Sequence, residues 1–356
     1  MTVDSLSHVT TEDFAPAPDQ MPPMPPPAVL MQMMDGIKVT QLIHVAAKLG
    51  IADMLCDGPK NSQEMAAAAG VHPGALYRVL RALAGLGIFR EVEEGRFDLT
   101  PLAEPLRSDI PGSLRSWAIV CGEDWHTRMW AGILYSVKTG LGAFPYAHGM
   151  GAFEYFQQHP EKGAVFYEAM TNLTAQVSAA VLAAYDFSGF ERIVDVGCGN
   201  GTLTTAILNA YPHLKSTLFD LPHVIGMARG VMEADGLADR CDFVAGDFFE
   251  AVAPGGDAYV LKNIIHDWAE DRAVTILQNI RKVVPAGTRV LVVEMVVEPG
   301  NHPSPAKMFD ITMMVAEGGQ ERTEAEHRRL FEASGFRLSR IVPTPSPVCV
   351  IEAVAV

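Results

Sequence analysis

Residues 192–208 read RIVDVGCGNGTLTTAIL. The β-branched run at its start predicts a strand, and TLTTAIL carries the apolar spacing of a helix. Between them the glycines at 197, 199 and 201 predict a turn that lets backbone approach a ligand closely and swing into the helix. Strand, glycine turn and helix in that order open a nucleotide-binding α/β domain. The spacing is DxGxGxG, with Asp195 at the strand's end, where a dinucleotide fingerprint would read GxGxxG. The first glycine turn contains no Lys or Arg.

Downstream, two more strands end in acids. KSTLFDLP (215–222) ends at Asp220, placed to accept hydrogen bonds from ribose hydroxyls. CDFVAGDFFE (241–250) ends at Asp247, within reach of an adenine amino group. Leu221 and Phe248, their neighbours, join the candidate cofactor set. Singly, each acid reads as a solvated loop carboxylate or a helix cap. Three acids after three successive strands, with no cation in the turn, suit a nucleoside that carries positive charge itself. S-adenosylmethionine (SAM), with its sulfonium and ammonium groups, fits that description.

The last two strands give an independent test. FRLSRIV (336–342) and PVCVIEAVAV (347–356) are separated only by PTPS. Parallel neighbours need a crossover of about a dozen residues, so this pair is expected to be antiparallel. An α/β sheet ending in an antiparallel hairpin matches SAM methyltransferases better than dinucleotide domains. The fold class expected is therefore a Rossmann-like SAM methyltransferase domain over residues 186–356.

Within that domain AYVL (258–261) reads as a buried strand and runs into LKNIIHDW (261–268). The segment places His266 just beyond the strand, with Asp267-Trp268 expected to open a helix. Ligands bind at such junctions, on the carboxyl edge of an open sheet.

Upstream, residues 112–185 are helical in pattern and rich in Trp, Phe, Tyr and Met, including Trp125, Met129, Phe166 and Met170. Each alone reads as core; together they suit the wall of an apolar acceptor cavity. Residues 30–111 give helix, helix, helix and a hairpin around Glu94-Gly95, the order of a winged helix. Asn61 and Glu64 have capping-box spacing. Its third helix offers only Arg78 and Arg81, and the hairpin carries Glu91, Glu93 and Glu94. That charge pattern opposes a nucleic-acid backbone, so dimerisation is the expected role. Residues 1–29, which end in APAPDQMPPMPPPAV, are expected as a disordered or polyproline II tail.

Composition agrees. The chain has 356 residues, 49% of them hydrophobic, and a net charge of −15, which disfavours a polyanionic partner. Cys56, Cys121, Cys198, Cys241 and Cys349 are scattered, as expected for reduced thiols of a cytoplasmic protein rather than for disulfides or zinc. The polar, acidic start is not expected to act as a signal peptide, and no apolar run reaches the roughly 20 residues of a membrane span. No His, Asp or Glu cluster has convincing metal-ligand spacing.

The motifs VDVGCGNG, FDLPHVI, GDFF, LKNIIHDW, VVEMVV and GGQERT occur in order from 194 to 323. WAGILYSVKTG and FYEAM precede them. In this set the chain resembles the SAM-dependent small-molecule O-methyltransferases of the plant caffeate and isoflavone type, and most of all their bacterial relatives acting on aromatic secondary metabolites. The resemblance covers roughly residues 30–356. It implies methyl transfer from SAM to an aromatic hydroxyl, with S-adenosylhomocysteine as product and no metal. It implies His266 as general base, flanked by Glu294 and Glu321, with Lys262 on the cofactor. It points to Phe166, Met170 and Met313 for the acceptor, with Asn263 and Asp310 nearby, and to a homodimer formed through the N-terminal domain. GCGNG, the proline-rich tail and Glu317 depart from the plant pattern. Related proteins that methylate nitrogen or carbon, or hydroxylate an aromatic, are the alternative within enzymes. A SAM-sensing winged-helix regulator is the alternative outside them.

Overall fold

In the computed structural model, which describes residues 24–356, RIVDV forms the first strand of the main sheet and runs through its middle. This C-terminal unit comprises β4 (Arg192–Val196), α12 (Thr202–Ala210), β5 (Lys215–Asp220), α13 (Pro222–Ala234), β6 (Cys241–Ala245), β7 (Ala258–Lys262), α14 (Glu270–Val283), β8 (Arg289–Met295), α15 (Pro305–Ala316), α16 (Glu324–Ala333), β9 (Phe336–Pro343) and β10 (Val348–Ala355). The seven strands lie in the order β6-β5-β4-β7-β8-β10-β9. The first five are parallel, in register such as Val194 with Thr217 and Val260 with Leu291. β10 is antiparallel to both β8 and β9, with an irregularity between Glu352 and Ala353. The short PTPS link thus makes the expected hairpin, and β10 inserts between β8 and β9.

Helices on both faces explain the nearly unbroken apolar runs of the central strands. Alternate residues serve opposite layers. Val194, Tyr259, Leu261, Val290 and Val292 pack with Ile276, Leu277 and Phe331 of α14 and α16. Ile193, Val260, Leu291 and Val293 pack with Ile207, Leu208 and Met232 of α12 and α13, and with Val181.

The N-terminal unit contains α1 (Pro26–Met34), α2 (Gly36–Lys48), α3 (Ile51–Met54), β1 (Lys60–Asn61), α4 (Ser62–Ala69), α5 (Pro73–Gly85), β2 (Phe89–Glu93) and β3 (Arg96–Leu99). The hairpin β2–β3 is joined by β1 in a small sheet, as a winged helix requires. Leu76, Leu80 and Leu83 put one stripe of α5 into a core with Ile51, Leu55, Met65, Phe89 and Phe97. Arg78 and Arg81 face solvent. Asn61 caps α4 by accepting the Gln63 N–H at 2.8 Å, whereas the reciprocal Glu64 bond of a capping box is not formed.

The expected tail needs correction at its end. Pro26 and Pro27 occupy the first turn of α1, where a missing N–H costs nothing and the fixed φ suits the helix. The rest of the tail, residues 1–23, lies outside the described residues.

Between the two units run α6 (Arg115–Gly122), α7 (Asp124–Ala131), α8 (Ile133–Thr139), α9 (Ala143–His148), α10 (Ala152–Gln158) and the long α11 (Pro160–Ala184). Helices α7–α10 form a cap beside α15. Trp125, Met129, Phe144, Tyr155 and Phe156 bury together with Val315 of α15, and Phe166, Met170 and Met314 pack against them. No described helix is long and apolar enough to cross a membrane.

Candidate active site

The carboxyl ends of β4, β5 and β7 meet at the glycine turn. Gly197 and Gly199 have φ of +73° and +57°, a region open to glycine at little cost. A Cβ at Gly197 would collide with Ile264, whereas one at Gly199 would meet nothing within 4 Å. The turn is therefore walled on its protein side and open where a nucleoside would lie. Asp220 stands across it: Oδ2 accepts the Gly199 N–H at 2.9 Å and Oδ1 the Leu221 N–H at 2.7 Å. Burial pushes its carboxyl up, against those two bonds.

Asp195 is more deeply placed than a ligand contact. It is buried within β4 and accepts the Thr204 hydroxyl at 2.6 Å, which ties the strand to α12 beyond the glycine turn. Burial pushes it up to about 6, with Asp220 adding to the effect and Thr204 and Lys262 opposing it. Asp247 closes its own turn through the Phe249 N–H at 2.8 Å. Phe248 is edge-on to Phe249 and Trp268. Lys262 donates to Thr174 of α11 at 2.8 Å. Burial lowers its pKa to about 8, against the pull of Asp195, Asp267 and Glu294. This open glycine cradle, with carboxylates and one lysine around it, fits a cationic nucleoside.

His266 lies in a 3-10 turn, Ile265–Asp267, and α14 begins only at Glu270. The helix expected directly at Asp267-Trp268 is thus delayed, and the turn is held from several sides. Nδ1 of His266 is 2.6 Å from Glu321 Oε1, and the ring is 4% exposed. Glu294 acts on the backbone: Oε1 accepts the N–H of His266 at 3.0 Å and of Ile264 at 3.1 Å. It grips the loop rather than the imidazole. Arg322, wholly buried, donates to the carbonyls of Ile265 (3.2 Å), Gln320 (3.4 Å) and Trp268 (3.1 Å). Asn263, at the end of β7, has φ of +55°, the one positive value at a non-glycine among the described residues. Its short side chain tolerates that conformation, and it aims the chain from β7 into the turn.

The electrostatics are acidic. Burial foremost, and Asp310 next, push Glu321 up to about 8, with Arg322 opposing. Burial also raises Glu294, against His266. Asp267 lies 3.6 Å from His266 Nε2 and is pushed up to about 6 by burial, with neighbouring carboxylates adding to it. Asp310 is committed to the backbone, its Oδ1 accepting the Glu321 N–H at 2.9 Å. The Phe309 ring lies 5.8 Å from the imidazole, and Met313 is buried on the same helix.

The structure gathers the expected site residues into three groups, of which His266, Glu294, Glu321, Asn263 and Asp310 around the 3-10 turn are the first. Gly197, Gly199, Gly201, Asp220, Leu221 and Lys262 surround the cradle. Trp125, Met129, Phe166 and Met170 lie in the cap cluster, where Trp125 and Met129 are buried among aromatics as core. Sequence reasoning missed Arg322, Asp267 and Thr174. The first two sit inside quoted motifs, next to Glu321 and His266, and adjacency was their only signal. The group Asp53, Cys56 and Asp109 has its ligand atoms close together, but lies in the N-terminal module with Arg107 paired to Asp109.

Comparison with known proteins accounts for both parts of the chain. An O-methyltransferase domain model matches residues 130–337, and an O-methyltransferase dimerisation domain model matches residues 31–109. Phenazine O-methyltransferase PhzM of Lysobacter antibioticus is 45% identical over 330 residues, covering 93% of this chain and 96% of that one. The crystal structure of LaPhzM aligns with a TM-score of 0.89 at 45% identity, over 94% of this chain and 100% of its own. An O-methyltransferase from neocarzinostatin biosynthesis, solved with SAM and 2-hydroxy-5-methyl naphthoic acid, aligns with a TM-score of 0.78 at 31% identity, over 89% of this chain and 96% of its own. With its glycine cradle, its sheet ending in an antiparallel hairpin and matches that span nearly its whole described length, this chain belongs to the SAM-dependent O-methyltransferase family, with a dimerisation domain ahead of the methyltransferase domain.

Proposed function

We propose that the acceptor is a hydroxyl on an aromatic small molecule of the phenolic, polyketide or phenazine kind, and that His266 is the general base. The observation that carries this reading is the buried pair of His266 Nδ1 and Glu321 Oε1, 2.6 Å apart. When ionised, Glu321 accepts from Nδ1–H, fixes the tautomer and leaves the Nε2 lone pair to take the hydroxyl proton. It also stabilises the imidazolium that forms. Glu294 and Arg322 act one step back, holding the backbone of the turn through the bonds described above, so that the ring keeps its place.

SAM, when bound, supplies a methyl group on a positively charged sulfur. Gly199 and Asp220 would hold its nucleoside, Asp247 and Phe248 its base, and Lys262 its outer edge. Asp195 would keep the glycine turn fixed on α12. Phe166, Met170 and Met313 would form the acceptor wall, where methionine adapts to flat rings and makes favourable sulfur–aromatic contacts. Trp125 and Met129 would stiffen that wall from behind, and Asn263 and Asp310 would set the turn and Glu321.

The same reading makes the protein a homodimer through residues 31–109. Leu30, Met31, Met33, Met34 and Ile37 expose apolar side chains along α1 and the start of α2, Met33 at 71%, a surface suited to a second copy. Neither nucleic acid nor a membrane is part of it: the module's acidic hairpin and sparse arginines oppose a phosphate backbone.

The test is transfer of labelled methyl from SAM to a panel of phenols, hydroxyquinones and hydroxyphenazines, with wild type and His266→Ala side by side. Transfer to oxygen that collapses in the variant is the expected result. Undiminished transfer by the variant would remove His266 as base. Label on nitrogen or carbon would replace the hydroxyl acceptor.

A further inference from the structure

The segment Ala316–Glu321 touches the cap on one side and the His266 turn on the other. On the cap side, the carboxylate of Glu317 accepts the N–H of Ala152, the first residue of α10. Gly151 itself offers no side chain to cap that helix, and a Cβ there would lie 3.4 Å from Glu317 Oε1. Gly142, ahead of α9, lies against the same segment: a Cβ on it would sit 2.6 Å from the Ala316 carbonyl oxygen and 3.0 Å from Gly318 N. Backbone meets backbone here, with room for no side chain.

On the catalytic side, a Cβ at Gly319 would collide with the His266 carbonyl. Gln320 N–H donates to that same carbonyl at 2.9 Å, and Glu321 takes His266 Nδ1. Within five consecutive residues, then, 317 binds the cap, 319 packs against the backbone of the turn, 320 binds it, and 321 binds the imidazole. Glu317 is also close enough to Asp267 for their charges to interact.

We propose that Glu317 is a positioning residue that fastens the aromatic cap to the His266 turn, so that acceptor wall and base move as one body. The proposal rests on the reading of His266 as base only for its kinetic consequence; the mechanical link stands on geometry. A carboxylate suits this task because a charged acceptor binds a helix-start N–H more strongly than a neutral one. Burial raises its carboxyl, and the Ala152 N–H and Arg272 offset part of that rise.

The experiment uses the full-length protein with and without SAM. Amide hydrogen exchange is measured on wild type, Glu317→Gln, Glu317→Ala and Gly142→Ala. The expected result is faster exchange in Glu317→Ala at both α10 and residues 264–268 and 320, unchanged exchange in β4 and β7, and partial restoration by Gln, whose carbonyl can still accept the N–H. Gly142→Ala reaches the same joint from the other side and should loosen the same two regions. With the best phenol of the panel above, Glu317→Ala raises acceptor KM about tenfold, the scale of one charge-assisted hydrogen bond, and leaves the Kd for SAM within a factor of about two. Loosening of α10 while the turn stays protected, or equal losses in acceptor and SAM binding, would overturn the proposal. If His266→Ala keeps full activity, the base assignment falls while the exchange result still decides the link.

Discussion

On the side proposed for the cofactor, Gly199, Asp220, Asp247 and Lys262 each stand within a few residues of the end of a strand, and hydrogen bonds to neighbouring backbone fix most of them. On the side proposed for the acceptor, Trp125, Phe156, Phe166 and Val315 come from four separate helices and pack in one cluster, with Trp125 edge-on to Phe156 at 5.1 Å and Phe156 stacked on Phe166 at 4.5 Å. The first half inherits its geometry from the sheet ladder. The second inherits it from packing, which tolerates exchange of one side chain for another of similar volume. Such a division would let the cap be rebuilt around a different acceptor without disturbing the strands.

His266 lies where the halves join, and its removal should have the largest effect. His266→Ala is expected to lower kcat by roughly 10²–10⁴-fold, the usual worth of a positioned base, with the Kd for SAM unchanged by calorimetry; parallel loss of SAM binding would mean the halves are not separable. Glu321→Gln should cost about 10–100-fold in kcat, the scale of one charged hydrogen bond. It should also change the pH profile. A protonated Glu321 makes Nδ1 an acceptor and puts the proton on Nε2, so the wild-type rate should rise with pH through about 8, where burial places the Glu321 carboxyl, and Gln should abolish that limb.

Asp220→Ala tests the cofactor half alone: SAM affinity should weaken about tenfold for the loss of charged hydrogen bonding, with acceptor KM unmoved at saturating SAM. Phe166→Ala tests the other half: acceptor KM should rise about 2–10-fold, the worth of an aromatic contact, at constant Kd for SAM. The smallest effect concerns stability. Asp195 has a folded-state pKa raised to about 6 from 3.8, so the folded form holds its proton more tightly. That contribution is complete below about 4 and is lost as pH rises through 6. Without SAM, the melting temperature of wild type should therefore fall by a few degrees from pH 4.5 to 7 relative to Asp195→Asn, which lacks the ionisation; parallel curves would count against the buried charge.

The strand-end acids and the antiparallel close of the sheet were legible because local rules decide them. A β-branched run followed by glycine or aspartate marks an edge, and a four-residue link cannot make a parallel crossover. The winged-helix order was legible for the same reason. What escaped were choices made by distant neighbours. Glu294 and His266 are close in the fold, but that the carboxylate takes backbone N–H groups depends on how β8 abuts the turn after β7. Nothing in GGQERT alone shows that Arg322 is buried and donates to the carbonyls of Ile265 and Trp268. Glu317 stood out only as a departure from the plant pattern; its partner, Ala152, lies on a helix whose docking no local pattern announces. Pro26 and Pro27 misled in the opposite direction, since proline that breaks a helix interior starts one equally well.

The strand order has a consequence for how the chain is made. β8 ends at Met295, yet its outer neighbour β10 begins at Val348, after α15, α16 and β9. On the ribosome, the backbone edge of β8 that pairs with β10 stays bare while all of that is synthesised, and β9, which pairs only with β10, has no neighbour on the sheet until β10 arrives. The half-built sheet therefore presents an open edge of unpaired backbone groups for seconds, which other nascent chains could pair with. A chain broken off before Val348 would keep its cradle and His266 in full and still be a substrate for chaperones rather than an enzyme.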